Sequence, residues 1–160
     1  MRPATSHDAD RIRTIYNYEV IHTTATFDLV PRSLVEQRRW LADRSGAFAA
    51  TVAVDTAGEV VGFASLSPYK ERAAYRTSVE DSVYVDRAHH GRGVGRLLLD
   101  DLIRGAALSG FHAVFARITA SSEASRALHA SCGFQLVGIE REVGRKFNQW
   151  LDVAVMERLL

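Results

Sequence analysis

The amino-acid sequence predicts a mixed α/β layer fold built on one central sheet, with seven strands and four helices. Three observations carry this. Runs of β-branched and small apolar residues alternate with segments of helical period. Glycine-rich or polar turns separate those segments. The 160 residues contain no internal repeat, low-complexity tract or linker, so residues 1–160 are expected to form one domain.

The elements follow in order. After a short extended start, Ser6 is placed to cap a helix whose Asp8 and Asp10 suit its positive end. Ile12, Ile15 and Tyr16 recur at i, i+3 and i+4 as its buried stripe. A Thr-rich loop from His22 to Thr26 leads to Phe27. A second helix opens on the capping box Ser33-Leu34-Val35-Glu36 and runs to about Arg44. Phe48 to Asp55 and Glu59 to Leu66 read as a hairpin across Thr56-Ala57-Gly58. Tyr69 to Tyr75 is a polar connection, and Thr77 to Val85 is a third strand of that run. Gly93 to about Ser109 is the clearest helix, with Val94, Leu97, Leu98 and Leu102 as its apolar stripe. Ala113 to Ile118 is a strand, and Ser122 to Cys132 is a helix stopped by Gly133. Gln135 to Val143 and Trp150 to Leu159 are the last strands, with Gly144 to Gln149 between them.

Composition narrows the class of function. With 47% hydrophobic and 24% charged residues the chain has the make-up of an ordinary globule. Twenty Lys plus Arg against nineteen Asp plus Glu argue against nucleic-acid or polybasic membrane binding as a main activity. Cys132 is the only cysteine, which excludes an internal disulfide, and no Cys/His spacing points to zinc or another metal. No apolar stretch approaches a membrane span and no signal-peptide pattern opens the sequence, so a cytoplasmic location is expected.

Chemistry is concentrated in a few places. In His89-His90-Gly91-Arg92-Gly93-Val94-Gly95-Arg96, glycines at alternate positions let backbone N–H groups converge on an anion. The helix that follows aims its positive end there, and Arg92 and Arg96 add charge, which fits a phosphate or pyrophosphate. Neither a P-loop lysine nor the dinucleotide G-x-G-x-x-G spacing is present. The same residues also fit a tight turn with solvated arginines. Glu80-Asp81 puts two carboxylates on opposite faces of a strand, Asp81 with Val79 and Val83, Glu80 with Ser82 and Tyr84. One of them must find a partner, a cavity or water, and a buried glutamate there has the pKa behaviour of a general base. A salt bridge or a solvated sheet end is the alternative. Ser122, Ser125 and His129 form a polar stripe on a short helix, suited to a ligand or to water. Lys70, Arg72, Tyr69 and Tyr75 make a basic, aromatic segment suited to a carboxylate-bearing substrate, although a plain surface loop has similar composition.

Together, the strand ending in Val83-Tyr84-Val85, the His90-Gly91-Arg92-Gly93-Val94-Gly95 turn into a helix, and the later Cys132-Gly133-Phe134 resemble the GNAT superfamily of acetyl-CoA-dependent N-acetyltransferases. His90 stands where that signature has Gln or Arg. Within the superfamily the chain resembles the phosphinothricin and methionine sulfoximine/sulfone branch. The residues are Ile15-Tyr16-Asn17, Thr24 and Phe27, Lys70-x-Arg72-x-x-Tyr75, Val79-Glu80-x-Ser82-Val83-Tyr84-Val85, Leu128-His129 and Gly144-x-Lys146-Phe147-x-x-Trp150-x-Asp152.

The resemblance implies a GNAT-like sheet, acetyl-CoA as cosubstrate without a metal, a small amino-acid-like acceptor, and a homodimer. It implies that the backbone of Val83, Tyr84 and Val85 receives the pantetheine arm. The turn Gly91, Arg92, Gly93, Val94, Gly95 and Arg96 would hold the pyrophosphate, with Ser122 and Ser125 as further cofactor contacts. Glu80 would be the general base and His129 the acid, or the residue that orders a water for that purpose. Arg72 and Tyr75 would meet the substrate carboxylate, Phe27 would form a wall, and Lys146 would approach the site near the dimer interface. Alternatives are acetylation of a protein N-terminus, lysine or polyamine, or a non-catalytic module using Arg87, Arg92 and Arg96.

Overall fold

A computed structural model describes all residues from Met1 to Leu160. Its elements are β1 (Arg2–Pro3), α1 (Ala9–His22), α2 (Leu34–Ala42), β2 (Thr51–Val54), β3 (Val60–Pro68), β4 (Ser78–Val85), α3 (Val94–Leu108), β5 (Ala113–Thr119), α4 (Glu123–Ser131), β6 (Gln135–Lys146) and β7 (Gln149–Leu159). The seven strands form one sheet in the order β1-β2-β3-β4-β5-β7-β6. The sheet is mixed and the predicted element order stands.

Local differences have physical causes. Thr5, not Ser6, opens the first helical segment. Its N–H donates to Asp8 Oδ2 at 2.7 Å, Asp8 also takes both ends of the Arg2 guanidinium, and Ser6–Asp8 is a 3-10 turn before α1. The box at Ser33 is as expected, with Ser33 N donating to Glu36 Oε2 at 2.7 Å. The strand expected from Phe48 starts at Thr51, because Gly46–Phe48 coils into a 3-10 turn that packs Phe48 on Phe111. Gly144 to Gln149 is not a separate loop. β6 and β7 close on Phe147 and Asn148, both at positive φ (49° and 60°), the backbone twist that a two-residue hairpin turn requires.

One pairing sets up the site. All neighbouring strands are antiparallel except β4 and β5, and that parallel ladder covers only Ser78–Glu80 against Ala113–Phe115. Beyond it the two strands separate, β4 following β3 to Val85 and β5 following β7 to Thr119. The facing edges of the two strands therefore carry unpaired backbone groups.

Packing assigns the faces. Val79, Val114, Ala116 and Ile118 join Leu98, Leu99, Leu102, Cys132 and Phe134 in the core beneath α3 and α4. Ile12, Ile15 and Tyr16 of α1 pack with Val52 and Phe63 on the other face, where Tyr84 also packs. Glu80 thus faces the α1 side and Asp81 the α3–α4 side, in the alternation the sequence predicts. No helix is long and apolar enough to cross a membrane.

Candidate active site

Where β4 and β5 part, a cavity of about 280 Å3 opens through the sheet. Glu80 to Tyr84 form one wall and Ala116 to Thr119 the other. Ala25, Thr26 and Phe27 close it from the α1–α2 loop, and Ser122, Ser125 and His129 close it from the α4 side. Because the sheet is split, Glu80 and Asp81 both line the cavity, from opposite faces.

At the far end of β4 the chain turns into α3 through the glycine segment. Gly91 and Gly93 have φ of 71° and 79°, a left-handed conformation that L side chains rarely adopt. None of the N–H groups from Gly91 to Arg96 donates to a protein acceptor, so six donors and the positive end of a 15-residue helix face outward together. Arg92 and Arg96 are exposed beside them, Arg96 loosely paired with Asp100 at 3.6 Å. The third glycine has a different task. A Cβ on Gly95 would lie 3.1 Å from Leu128, so this glycine lets α3 and α4 approach closely. His90 places Nε2 2.9 Å from the Val85 carbonyl oxygen and thereby caps the end of β4.

On the α1 face Glu80 is half-buried. Burial pushes its carboxyl above the usual range, the Arg117 charge pulls it down, and Asp81 and Glu140 push it up again; the balance is upward. Arg117 comes from β5, and Nη1 and Nη2 grip the two carboxylate oxygens of Glu140, with Nη1–Oε1 at 3.0 Å.

On the other face His129 and Asp81 form a buried pair, 5% and 7% exposed. His129 Nε2 lies 3.0 Å from Asp81 Oδ2, and Nδ1 lies 2.8 Å from the Ser125 carbonyl oxygen. Burial pulls the imidazole pKa down, but the Asp81 bond and charge and the Ser125 carbonyl outweigh it, so the pKa is raised. Asp81 Oδ1 is buried without a hydrogen-bond partner. Both ring nitrogens of His129 are thus engaged.

Other sequence-predicted residues lie elsewhere. Arg72 and Tyr75 are exposed and off the cavity wall. Their segment is held by Tyr69, which stacks on Phe115 at 4.1 Å between ring centroids and meets Tyr75 edge-on. Lys146 is also off the wall. It is buried, donating from Nζ to the Thr26 carbonyl at 2.7 Å and the Glu19 carbonyl at 3.4 Å, and burial lowers its pKa. Lys146 therefore anchors the α1–α2 loop from behind. Phe27 is on the wall, its ring lying over Gly144, where an added Cβ would come within 2.1 Å of it. Buried Cys132 has its thiol pKa raised by burial, which suits packing. No cluster of three His, Cys, Asp or Glu side chains suits a metal ion.

Of the charged cavity residues, Asp81 is part of the Glu80-Asp81 pair that the sequence singles out but carries no assigned role there, and Arg117 is not singled out at all. Asp81 had a visible signal, since its pleat partners Val79 and Val83 mark the buried face. Arg117 had a weaker one, a charge at an alternate position of an apolar strand.

Comparison with known proteins points to one family. Residues 1–155 match the acetyltransferase (GNAT) domain family. The chain is 42% identical to a phosphinothricin N-acetyltransferase of Streptomyces coelicolor, covering 100% of this chain and 95% of the relative. It is 37% identical to an L-methionine sulfoximine/L-methionine sulfone acetyltransferase of Pseudomonas aeruginosa, covering 98% and 92%. Among solved structures, a ribosomal-protein-alanine N-acetyltransferase from Brucella melitensis superposes with a TM-score of 0.97 at 39% identity, covering 99% and 98%. A phosphinothricin acetyltransferase from Sinorhizobium meliloti in complex with acetyl-CoA gives 0.95 at 36% identity, covering 99% and 86%. A split β4–β5 pair, an outward-facing glycine cradle at the head of α3, and a family match over nearly the whole length converge: the chain belongs to the GNAT family, the N-acetyltransferases whose acetyl donor is acetyl-CoA.

Proposed function

We propose that this protein acetylates the α-amine of a small amino-acid-like substrate, of the phosphinothricin, methionine sulfoximine or methionine sulfone type, with Glu80 as general base. The observation that carries the reading is the two-faced cavity, with a half-buried carboxylate on the α1 side and the glycine cradle at the α3 end of the same strand. The names and identities of the relatives support the same substrate class.

The residues fit acetyl-CoA as the acetyl donor. Six unpaired N–H groups from Gly91 to Arg96, with Arg92 and Arg96, suit a pyrophosphate. The free edge of β4 around Val83 suits a chain that pairs like an added strand, and Ser122 and Ser125 line the same slot. When bound there, the cosubstrate supplies an acetyl thioester.

Each protein group then has one task. An α-ammonium has no lone pair, so the amine must lose a proton before it attacks. Glu80, its pKa raised toward the working pH, accepts that proton directly or through a water. Backbone N–H groups on the free β4 edge near Val83 polarise the carbonyl under attack. On the opposite face the Asp81–His129 pair holds one transferable proton, where the thiol product gains one. With both ring nitrogens engaged, His129 acts together with Asp81 or through an ordered water. Phe27 shapes the acceptor side, and Lys146 holds the loop that carries it. Arg72 and Tyr75, on their exposed segment, meet substrate only if that segment folds inward.

A second reading, acetylation of a protein N-terminus, draws on the name of the Brucella relative. A cavity of about 280 Å3 closed by Phe27 favours a small acceptor. The test follows thiol release from acetyl-CoA across phosphinothricin, methionine sulfoximine, methionine sulfone, the common amino acids, polyamines and a peptide. Turnover on the first three, abolished in Glu80→Gln, is the expected result. Turnover on the peptide or polyamines alone overturns the substrate assignment.

A further inference from the structure

Arg117 is the only lysine or arginine on the cavity wall. It shares a face with Glu80: Glu80 pairs with Phe115 in the parallel ladder, and Arg117 is the next β5 residue on that side. Its guanidinium is held end-on by Glu140, which reaches it from β6 across the intervening β7. That grip uses one hydrogen on each terminal nitrogen. Nε–H and the remaining terminal hydrogens have no protein partner, which leaves a second, side-on fork able to take another planar oxyanion.

We propose that Arg117, fixed by Glu140, binds the α-carboxylate of the acceptor, so that the enzyme selects free amino acids over amines and peptide N-termini. The inference rests on the amino-acid reading above. An α-amino acid separates nitrogen from carboxylate by a single carbon. With the amine at Glu80, its carboxylate falls within reach of the neighbouring arginine on the same face. Glu140 neutralises Arg117 in the free enzyme and holds its planar head still, so little side-chain freedom is lost when the acceptor arrives. Arg72, the other candidate for this task, is off the wall. A peptide N-terminus offers an amide carbonyl at the same point, without the charge that the free fork matches.

The test compares methionine sulfone with its carboxamide as acceptors, at saturating acetyl-CoA, in wild type, Arg117→Gln, Arg117→Lys and Glu140→Gln. In Arg117→Gln the KM for methionine sulfone is expected to rise about 10- to 100-fold. Measured on the alkaline side of the acid limb, the KM for the carboxamide is expected to rise far less than that for the acid, and the KM for acetyl-CoA to stay unchanged. Arg117→Lys keeps the charge without the fork and should recover part of the loss. Glu140→Gln, which retains the guanidinium but loosens its support, should show a smaller rise in the same acid-to-amide ratio, and it provides the readout if Arg117→Gln does not fold. An unchanged KM for the acid, or an equal rise for acid and amide, overturns the proposal. If the wild type itself turns over a peptide and no amino acid, the amino-acid reading falls and this assignment falls with it.

Discussion

His129 directs Nδ1 at the Ser125 carbonyl oxygen, 2.8 Å away, and Nε2 at Asp81 Oδ2, 3.0 Å away. A carbonyl only accepts, so Nδ1 carries a hydrogen, and one further proton lies between Nε2 and the carboxylate. The Asp81 bond and charge and the Ser125 carbonyl, outweighing burial, favour the charged form of the imidazole.

Removing the partner should therefore show in a pH profile. In Asp81→Asn the charge that holds up the His129 pKa is lost while burial remains, so its pKa falls. Where protonated His129 is required, the alkaline limb of kcat should move to lower pH, and kcat should fall by about 10- to 100-fold. An alkaline limb that stays in place would show that the pair serves structure only.

With Glu80 as the proposed base, the acid limb should follow its carboxyl. Its active form is the carboxylate, so activity is lost as pH falls through its pKa. Since that pKa is raised, the loss begins above the usual carboxylate range. Glu80→Gln should cost about 10^2- to 10^4-fold in kcat/KM and remove this limb. Arg117→Gln removes the charge that pulls Glu80 down, so the acid limb should shift to higher pH. A kcat/KM profile from pH 5 to 9, about the span of common assay buffers, reads both.

Gly144 and Phe27 make a steric prediction. A methyl group at Gly144 meets the Phe27 ring at 2.1 to 2.9 Å, so the flexible ring must leave while the strand backbone stays. Gly144→Ala should raise the acceptor KM about 10-fold. The KM for acetyl-CoA and the melting temperature should change little.

Asp8 tests stability away from the site. Its bond to Arg2, outweighing burial, together with Thr5, holds its carboxyl down to about 2 from the ordinary 3.8. A depressed carboxylate pKa stabilises the fold fully above the unfolded value, and that contribution fades as pH falls through the folded one. Asp8→Asn should cost about 1–2 kcal/mol at neutral pH, a few tenths (~0.4 kcal/mol) near pH 2, and almost nothing about a unit below it, measured by denaturant melts across that range.

Much of this was legible in the sequence, for reasons that differ from residue to residue. The Ser33–Glu36 box and the glycine turn into α3 are local, their physics contained within a few residues, and both were readable. The opposite orientation of Glu80 and Asp81 followed from the pleat alone. The split of β4 from β5 did not, because a ladder that ends after three residue pairs depends on how two strands diverge and not on their composition. Arg117 meets a partner 23 residues away and two strands over, and His129 meets one 48 residues away. Spacing along the chain carries no record of such pairs. Lys146 was expected near the site but is buried against the Glu19 and Thr26 carbonyls, a placement set by the close of the β6–β7 hairpin.

The alternation at residues 80 and 81 also constrains how this family can change in length. A single residue inserted or deleted within β4 ahead of them, without a compensating bulge, would exchange the two faces. Glu80, the proposed proton acceptor, would then point beneath α4, and Asp81, the partner of His129, would point to the α1 side. Natural variation in length should therefore collect in the connections on either side, around residues 69–77 and 86–90, and leave the eight residues between them uninterrupted.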